Sequence, residues 1–252
     1  MKRILLISAL LLAVICTVSA DRRRMLMTRN VASAAALREP DILEITFTNG
    51  SGLTVNSTVG PNATNNVATW ITGKSGSGYA LRGSFKTNLL MAAGNVTYST
   101  GVVTVCAWVR LPVNGVECKF FGSDYDWNSY NAFSFEQSAA VTYLVTRQSG
   151  AGRIETQFAR LPNTNWVHVA AVFNQTENSN IGTNKLYYDG VLQLGTNAVS
   201  TKTAGANFTA RPFVATTSLS TSSRYDLDID HIAVFTGELT QADIEAQGAL
   251  SR

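Results

Sequence analysis

The chain has 252 residues, of which 45% are hydrophobic and only 15% charged, with a formal net charge of +3 at pH 7. That is enough apolar material for one large domain, and it excludes a highly charged disordered chain. The positive sign belongs to Lys2, Arg3, Arg22, Arg23, Arg24, Arg29 and Arg38; beyond Pro40 acidic residues outnumber basic ones, so the domain carries no basic footprint for nucleic acid.

Lys2-Arg3 precedes an apolar run from Ile4 to Val18, and Val18-Ser19-Ala20 is a small-residue cleavage site. Residues 1–20 therefore read as a signal peptide with Asp21 as the mature N-terminus. The run is short for a membrane span of about 20 residues. Ile15 is too bulky for a lipoprotein site at Cys16, and no second long apolar run follows. The expectation is a secreted, extracellular protein with no membrane span. Residues 21–40, DRRRMLMTRNVASAAALREP, lack strand alternation and read as a basic flexible linker or propeptide. The domain is expected over residues 41–252.

Asp41 to Thr48 alternates, with Leu43, Ile45 and Phe47 on one face, and is the first expected strand. Residues 49–77 are polar and rich in Gly and Asn, and read as one long solvated loop interrupted by Trp70 and Ile71. Strands are then expected at 79–82, 89–92, 102–111, 118–121, 132–135, 141–147 and 153–158. In Val167 to Phe173 both faces are apolar, as in a strand buried inside a sandwich. Asn174 to Asn184 is loop chemistry, and Lys185 to Tyr188 turns through Asp189-Gly190 into Val191-Leu192. Strands at 212–217 and 227–235 follow. A helix starts from the N-cap Thr240, with Asp243 in its first turn. Many short strands with one terminal helix give an all-β, two-sheet antiparallel sandwich.

Cys106 and Cys118 remain after the leader. In an oxidising compartment, on what read as neighbouring antiparallel strands, they are expected to form a disulfide worth roughly 2–3 kcal/mol. Sequons stand at Asn49, Asn56, Asn62, Asn95, Asn174 and Asn207, all in expected loops or strand edges, so a glycoprotein is expected.

Several stretches resemble laminin-G-like domains of the concanavalin-A-like lectin/glucanase group. Trp166-x-His168-Val169-Ala170 and Leu186-Tyr187-x-Asp189-Gly190 match its core hairpin. PDILEITFTNGSG (40–52), GSGYALRGSF (76–85), VVTVCAWVRL (102–111) and DLDIDHIAVFTGELTQADIEA (226–246) match its other strands and its closing helix, in the right order. The resemblance implies a jelly-roll sandwich over residues 41 to about 247. It also implies a structural calcium near Asp230 and the first strand's loop, although Asn49 stands where relatives often carry an acid; hydrogen bonds from loop amides to Asp230 are the alternative. His168 falls on a family His position and reads as a core or strand-edge residue, and His231 as a surface one. Val169 and Ala170 replace the cysteine of pentraxins, which removes the reason to infer their pentamer. The oligomeric state stays open.

Two constellations carry candidate chemistry. Asp226, Asp228 and Asp230 alternate on one face of a strand and faintly resemble the acidic strand of laminarinase-type β-glucanases. A retaining glycosidase needs two carboxyls about 5–5.5 Å apart, and aspartates are short for that task. Asp124, Tyr125, Trp127, Asn128 and Tyr130 mix aromatic faces with amides and carboxylates between two strands, the mixture that recognises sugars. The expected function is a non-catalytic, lectin-like module binding a glycan or an extracellular glycoprotein. The alternative is a structural or adhesion component of a coat or matrix that binds protein neighbours, and the third is a β-glucan hydrolase.

Overall fold

In chain order the strands are β1 (Leu43–Ile45), β2 (Thr54–Val55), β3 (Ser57–Val59), β4 (Ala63–Asn65), β5 (Thr69–Thr72), β6 (Tyr79–Ser84), β7 (Leu90–Ala92), β8 (Val102–Arg110), β9 (Cys118–Gly122), β10 (Ala132–Gln137), β11 (Thr142–Gln148), β12 (Gly152–Phe158), β13 (Val167–Asn174), β14 (Lys185–Tyr188), β15 (Val191–Leu192), β16 (Thr196–Ser200), β17 (Val214–Thr217) and β18 (Asp226–Thr236), followed by helix α1 (Gln241–Ala249). This computed structural model describes residues 37–65, 68–76, 78–84, 90–92, 94–111, 118–123, 131–138, 140–148, 152–161, 165–176, 184–200, 207–217 and 226–250. Every strand pairing is antiparallel. The first sheet runs β15-β14-β13-β8-β18-β1-β3, with β6 beside the first half of β18 and β5 beyond it; the second runs β16-β12-β11-β10-β9-β17-β7-β4-β2. The all-β sandwich with one C-terminal helix stands as expected.

Strand parity explains the layers. Val103, Val105, Ala107 and Val109 of β8 and Val167, Val169, Ala171 and Phe173 of β13 join Phe120, Phe121, Phe133, Phe135 and Leu144 of the second sheet in one core. Cys106, Ala170, Val172, Ala233 and Phe235 face the other way, into a smaller cluster with Leu239 and Ile244 of the α1 segment. The two apolar faces of β13 therefore have two different partners. Asp189 and Gly190 both have positive φ (48° and 79°), as the tight hairpin requires. Thr240 closes a full capping box with Asp243.

Three expectations are corrected. The stretch 49–77 is not a bare loop: β2 to β5 form there, each two to four residues long and held only by neighbours in the two sheets. The polar strand β16 was not expected either. Cys106 and Cys118 are free buried thiols. β8 and β9 belong to different sheets. Cys106 lies in the smaller cluster with the α1 residues and Cys118 in the inter-sheet core, so no disulfide joins them. Finally, His231 is not on the surface but 5% exposed. A bulge between Asp230 and Ile232, with His231 at φ 42°, interrupts the alternation of β18.

Candidate functional site

The acidic strand β18 is bound up in structural contacts. Asp228 stands between Arg82 of β6 and Arg110 of β8 in the ladder register. Arg82 donates to Oδ1 (2.6 Å) and Oδ2 (2.8 Å), Arg110 Nε donates to Oδ2 (2.7 Å), and the carboxylate is fully buried. Arg110 in turn lies 4.8 Å from the ring centre of Trp166. The charge of Asp228 is answered by two guanidiniums from the flanking strands. Asp226 and Asp230 are four residues apart on the same strand, about 13 Å along an extended backbone.

Asp230 accepts the amide of Lys74 at 2.9 Å and that of His231. Burial pushes its carboxyl above the usual range, against those hydrogen bonds and the nearby positive charges of His231 and Lys74. A Cβ on Gly73 would fall 2.8 Å from Asp230 Oδ2, so the turn closes on the carboxylate only because residue 73 is glycine. The Lys74 ammonium sits 3.9 Å from the centre of the Trp108 ring. Asn49 uses its Oδ1 to accept the amide of Asn56 at 3.2 Å. Among the described residues no three His, Cys, Asp or Glu gather as metal ligands. One carboxylate already holding two amides, beside a lysine, does not fit calcium, which takes six to eight oxygens.

Sheet one also buries two histidines. His231 Nε2 lies 3.0 Å from Glu44 Oε1, and Thr58 Oγ1 donates to the same carboxylate. His168 is buried against Trp108, 5.3 Å between ring centres, and under Gly248 of α1. Its Nδ1 has no partner among the described residues. Burial, with the nearby charges of His231 and Lys74, lowers its pKa to about 3.

The outer face of the second sheet is different in kind. With Cys118, Phe120, Phe133, Phe135, Leu144 and Phe158 turned to the core, alternation places Lys119, Ser134, Glu136, Tyr143, Arg147 and Glu155 outside. Register aligns Lys119, Glu136, Tyr143 and Gln157 in one row, Ser134, Val145 and Glu155 in the next, and Ala132, Arg147 and Arg153 in the third. Ser134 Oγ lies 2.5 Å from Glu136 Oε1, and Arg153 pairs with Glu155 at 3.1 Å. Lys119 is buried although it faces outward; a Cβ on Gly122 would fall 3.0 Å from its Cε, so glycine leaves room for the lysine to lie flat. Burial raises the Glu136 carboxyl, opposed by Lys119, Ser134 and Arg147.

The loop of Asp124, Tyr125, Trp127, Asn128 and Tyr130 lies outside the described residues, but its two roots do not. Ser123 and Phe133 exchange hydrogen bonds (N–H to Phe133 O, 3.1 Å; Phe133 N–H to Ser123 Oγ, 3.1 Å). Asn131 is tied to Thr209 and to Asn207 O. The loop thus leaves and re-enters the second sheet at the end where Ala132, Arg147 and Arg153 align. The charged residues of this face, Lys119, Glu136, Arg147, Arg153 and Glu155, were not singled out from the sequence, although CKFFG, AFSFEQ, TYLVTRQ and GRIETQF carry them. Of the sequon residues, Asn49, Asn56, Asn62, Asn95 and Asn207 are exposed and Asn174 is half-buried. Among the described residues no helix is long and apolar enough to cross a membrane.

Known proteins share this fold. A family model described as the concanavalin A-like lectin/glucanases superfamily, laminin G type, matches residues 85–245. No curated protein matches the chain. Among solved structures, one of botulinum neurotoxin type C, whose cell entry is dependent upon interaction with two ganglioside molecules, is similar at TM-score 0.64 and 16% identity, covering 87% of this chain and 53% of that one. The binding domain of Paraclostridial Mosquitocidal Protein 1 is similar at TM-score 0.61 and 12% identity, covering 83% and 52%. The binding domain of botulinum neurotoxin DC, in complex with rat synaptotagmin II, is similar at TM-score 0.62 and 13% identity, covering 84% and 52%. The chain spans about half the length of these solved chains. At such identities the likeness is one of fold.

Proposed function

Because the chain belongs to the concanavalin A-like lectin/glucanases superfamily, we propose that it is a secreted, non-catalytic binding module whose ligand is a glycan or a glycan-bearing extracellular glycoprotein. The observation that carries this reading is the charged and polar outer face of the second sheet, beginning where the loop of Tyr125, Trp127 and Tyr130 is rooted. Hydroxyl-rich ligands need paired donors and acceptors beside an aromatic face. Arg147, Glu155 and Tyr143 supply them from the strands, and the rings of Tyr125, Trp127 and Tyr130 belong to the loop rooted at one end of this face. Solved relatives of this fold that interact with gangliosides or synaptotagmin support the same class of partner. The signal-peptide pattern and the six sequons support a secretory, glycosylated form. Binding is proposed to need no calcium, because Asp230 and Asn49 spend their oxygens on backbone amides.

A second reading, a structural or adhesion component, draws on Val191, Leu192 and Leu194, which are exposed at the edge strand β15 of the first sheet. A glycan array probed with and without a calcium chelator separates the two. Selective binding that survives chelation supports the lectin-like reading; a blank array with retained binding to matrix protein supports the second. Sugar release from β-glucan would contradict the non-catalytic assignment.

A further inference from the structure

At the opposite edge of the first sheet, Tyr79 is 46% exposed. Tyr79 and Trp70 meet edge to face, 6.3 Å between centres at 87°. Trp70 Nε1 donates to Gly52 O at 3.1 Å, so both rings are positioned before any ligand arrives. One side of the Tyr79 ring is already occupied by backbone. A Cβ on Gly50 would fall 2.4–2.7 Å from Cζ, Cε2 and Cε1, and Gly50 has φ +66°. Only glycine fits there on both counts. Gly50 is the middle residue of the sequon Asn49-Gly50-Ser51. The acceptor asparagine is therefore held beside an exposed aromatic ring. Asn49 is exposed, and its Oδ1 is anchored by the Asn56 amide, which leaves Nδ2 as the attachment point.

We propose that Tyr79, braced by Trp70, is a built-in platform for the first N-acetylhexosamine of a glycan carried on Asn49. The apolar C–H face of the sugar covers the ring that the protein leaves exposed, and the sugar hydroxyls stay in water. The attached glycan thereby orders the Asn49–Asn56 segment against the sheet edge. The inference rests on the secretory route proposed above, but not on the ligand assigned to the second sheet.

The test uses the full chain made in a eukaryotic secretory host and, as a control, the unglycosylated chain made in bacteria. Ser51→Ala removes the sequon without touching Asn49. Glycopeptide mass spectrometry is expected to find Asn49 occupied. In the glycosylated protein Ser51→Ala should lower Tm by roughly 2–4 °C, the shift that about 1 kcal/mol produces in a domain of this size. It should have no effect in the bacterial protein. With Tyr79→Thr in the background the Ser51→Ala shift should vanish, and with Tyr79→Phe it should persist. An empty Asn49 alongside occupied Asn56 or Asn95 overturns this inference alone, whereas no glycan at any sequon overturns the secretory reading as well. A Ser51→Ala shift that is absent, that is unchanged by Tyr79→Thr, or that appears equally in the bacterial protein also overturns it.

Discussion

Asp228→Asn separates a structural acid from a catalytic one. Asp228 is fully buried and takes hydrogen bonds from both Arg82 and Arg110, with donor–acceptor distances of 2.6–2.8 Å. Removing the charge from a buried, paired site costs roughly 3–5 kcal/mol. The two arginine side chains are 36% and 27% exposed, however, so they rehydrate on release and recover part of that loss. We expect a net loss of about 2–3 kcal/mol, or roughly 4–12 °C in Tm for a domain of this size. Urea unfolding measures it, with the midpoint falling and the m-value unchanged. The double variant with Arg110→Met should lose less than the two single changes added together, because they share one interaction. A loss below about 0.5 kcal/mol, the scale of an exposed pair, would refute the clamp. A gain in stability would point instead to a strained functional acid.

Further expectations follow from the same geometry. Gly50→Ala meets both a positive φ and the Tyr79 ring and should cost about 1–3 kcal/mol in urea unfolding. His168 has a pKa lowered by burial to about 3, against about 6.5 in the unfolded chain. Between those values the unfolded chain binds the proton and the native one does not. Stability from this group is therefore complete above pH 6.5 and is lost as pH falls toward 3, by at most about 1.4 kcal/mol per unit. Buried Glu136 and Asp230, whose carboxyls are raised, act in the opposite sense at acid pH. The difference between the wild type and His168→Leu from pH 7 to 5 isolates the histidine and should shrink the pH dependence. Burial pushes both thiols up, so Cys106 and Cys118 should be inert to a thiol reagent in the native protein and both react in denaturant; their silence in non-reducing denaturant would restore the disulfide.

The fold was legible wherever a strand was long enough to show its parity. β8, β13 and β18 carry seven or more alternating or doubly apolar residues, and Asp189-Gly190 and Thr240 mark a turn and a cap with defined chemistry. β2 to β5 were not legible, because two to four residues show no period and each becomes a strand only through its pairing with a neighbour. The disulfide expectation failed on information the strand already held: Val103, Val105, Ala107 and Val109 face the core, so Cys106 between them faces away. His231 was misplaced because its burial comes from Glu44 of β1 across the sheet, although the shift of apolar residues from Leu227 and Ile229 to Ile232 and Val234 does mark the bulge in DLDIDHIAVF. Lys119, Glu136 and Glu155 were readable as charged residues alternating with core aromatics, yet their meeting on one face depends on the pairing of β9 to β12, which is a property of topology.

The most direct test of the account is an equilibrium titration of the glycan selected on the array against the wild type, Tyr143→Ala, Trp127→Ala and Asp228→Asn at a temperature where all are folded. The account predicts at least tenfold weaker binding, a loss of about 1.4 kcal/mol, for Tyr143→Ala and Trp127→Ala. It predicts unchanged affinity for Asp228→Asn and no effect of calcium. Full affinity in Tyr143→Ala and Trp127→Ala, or binding abolished only by Asp228→Asn, would place the site on the other sheet and contradict it.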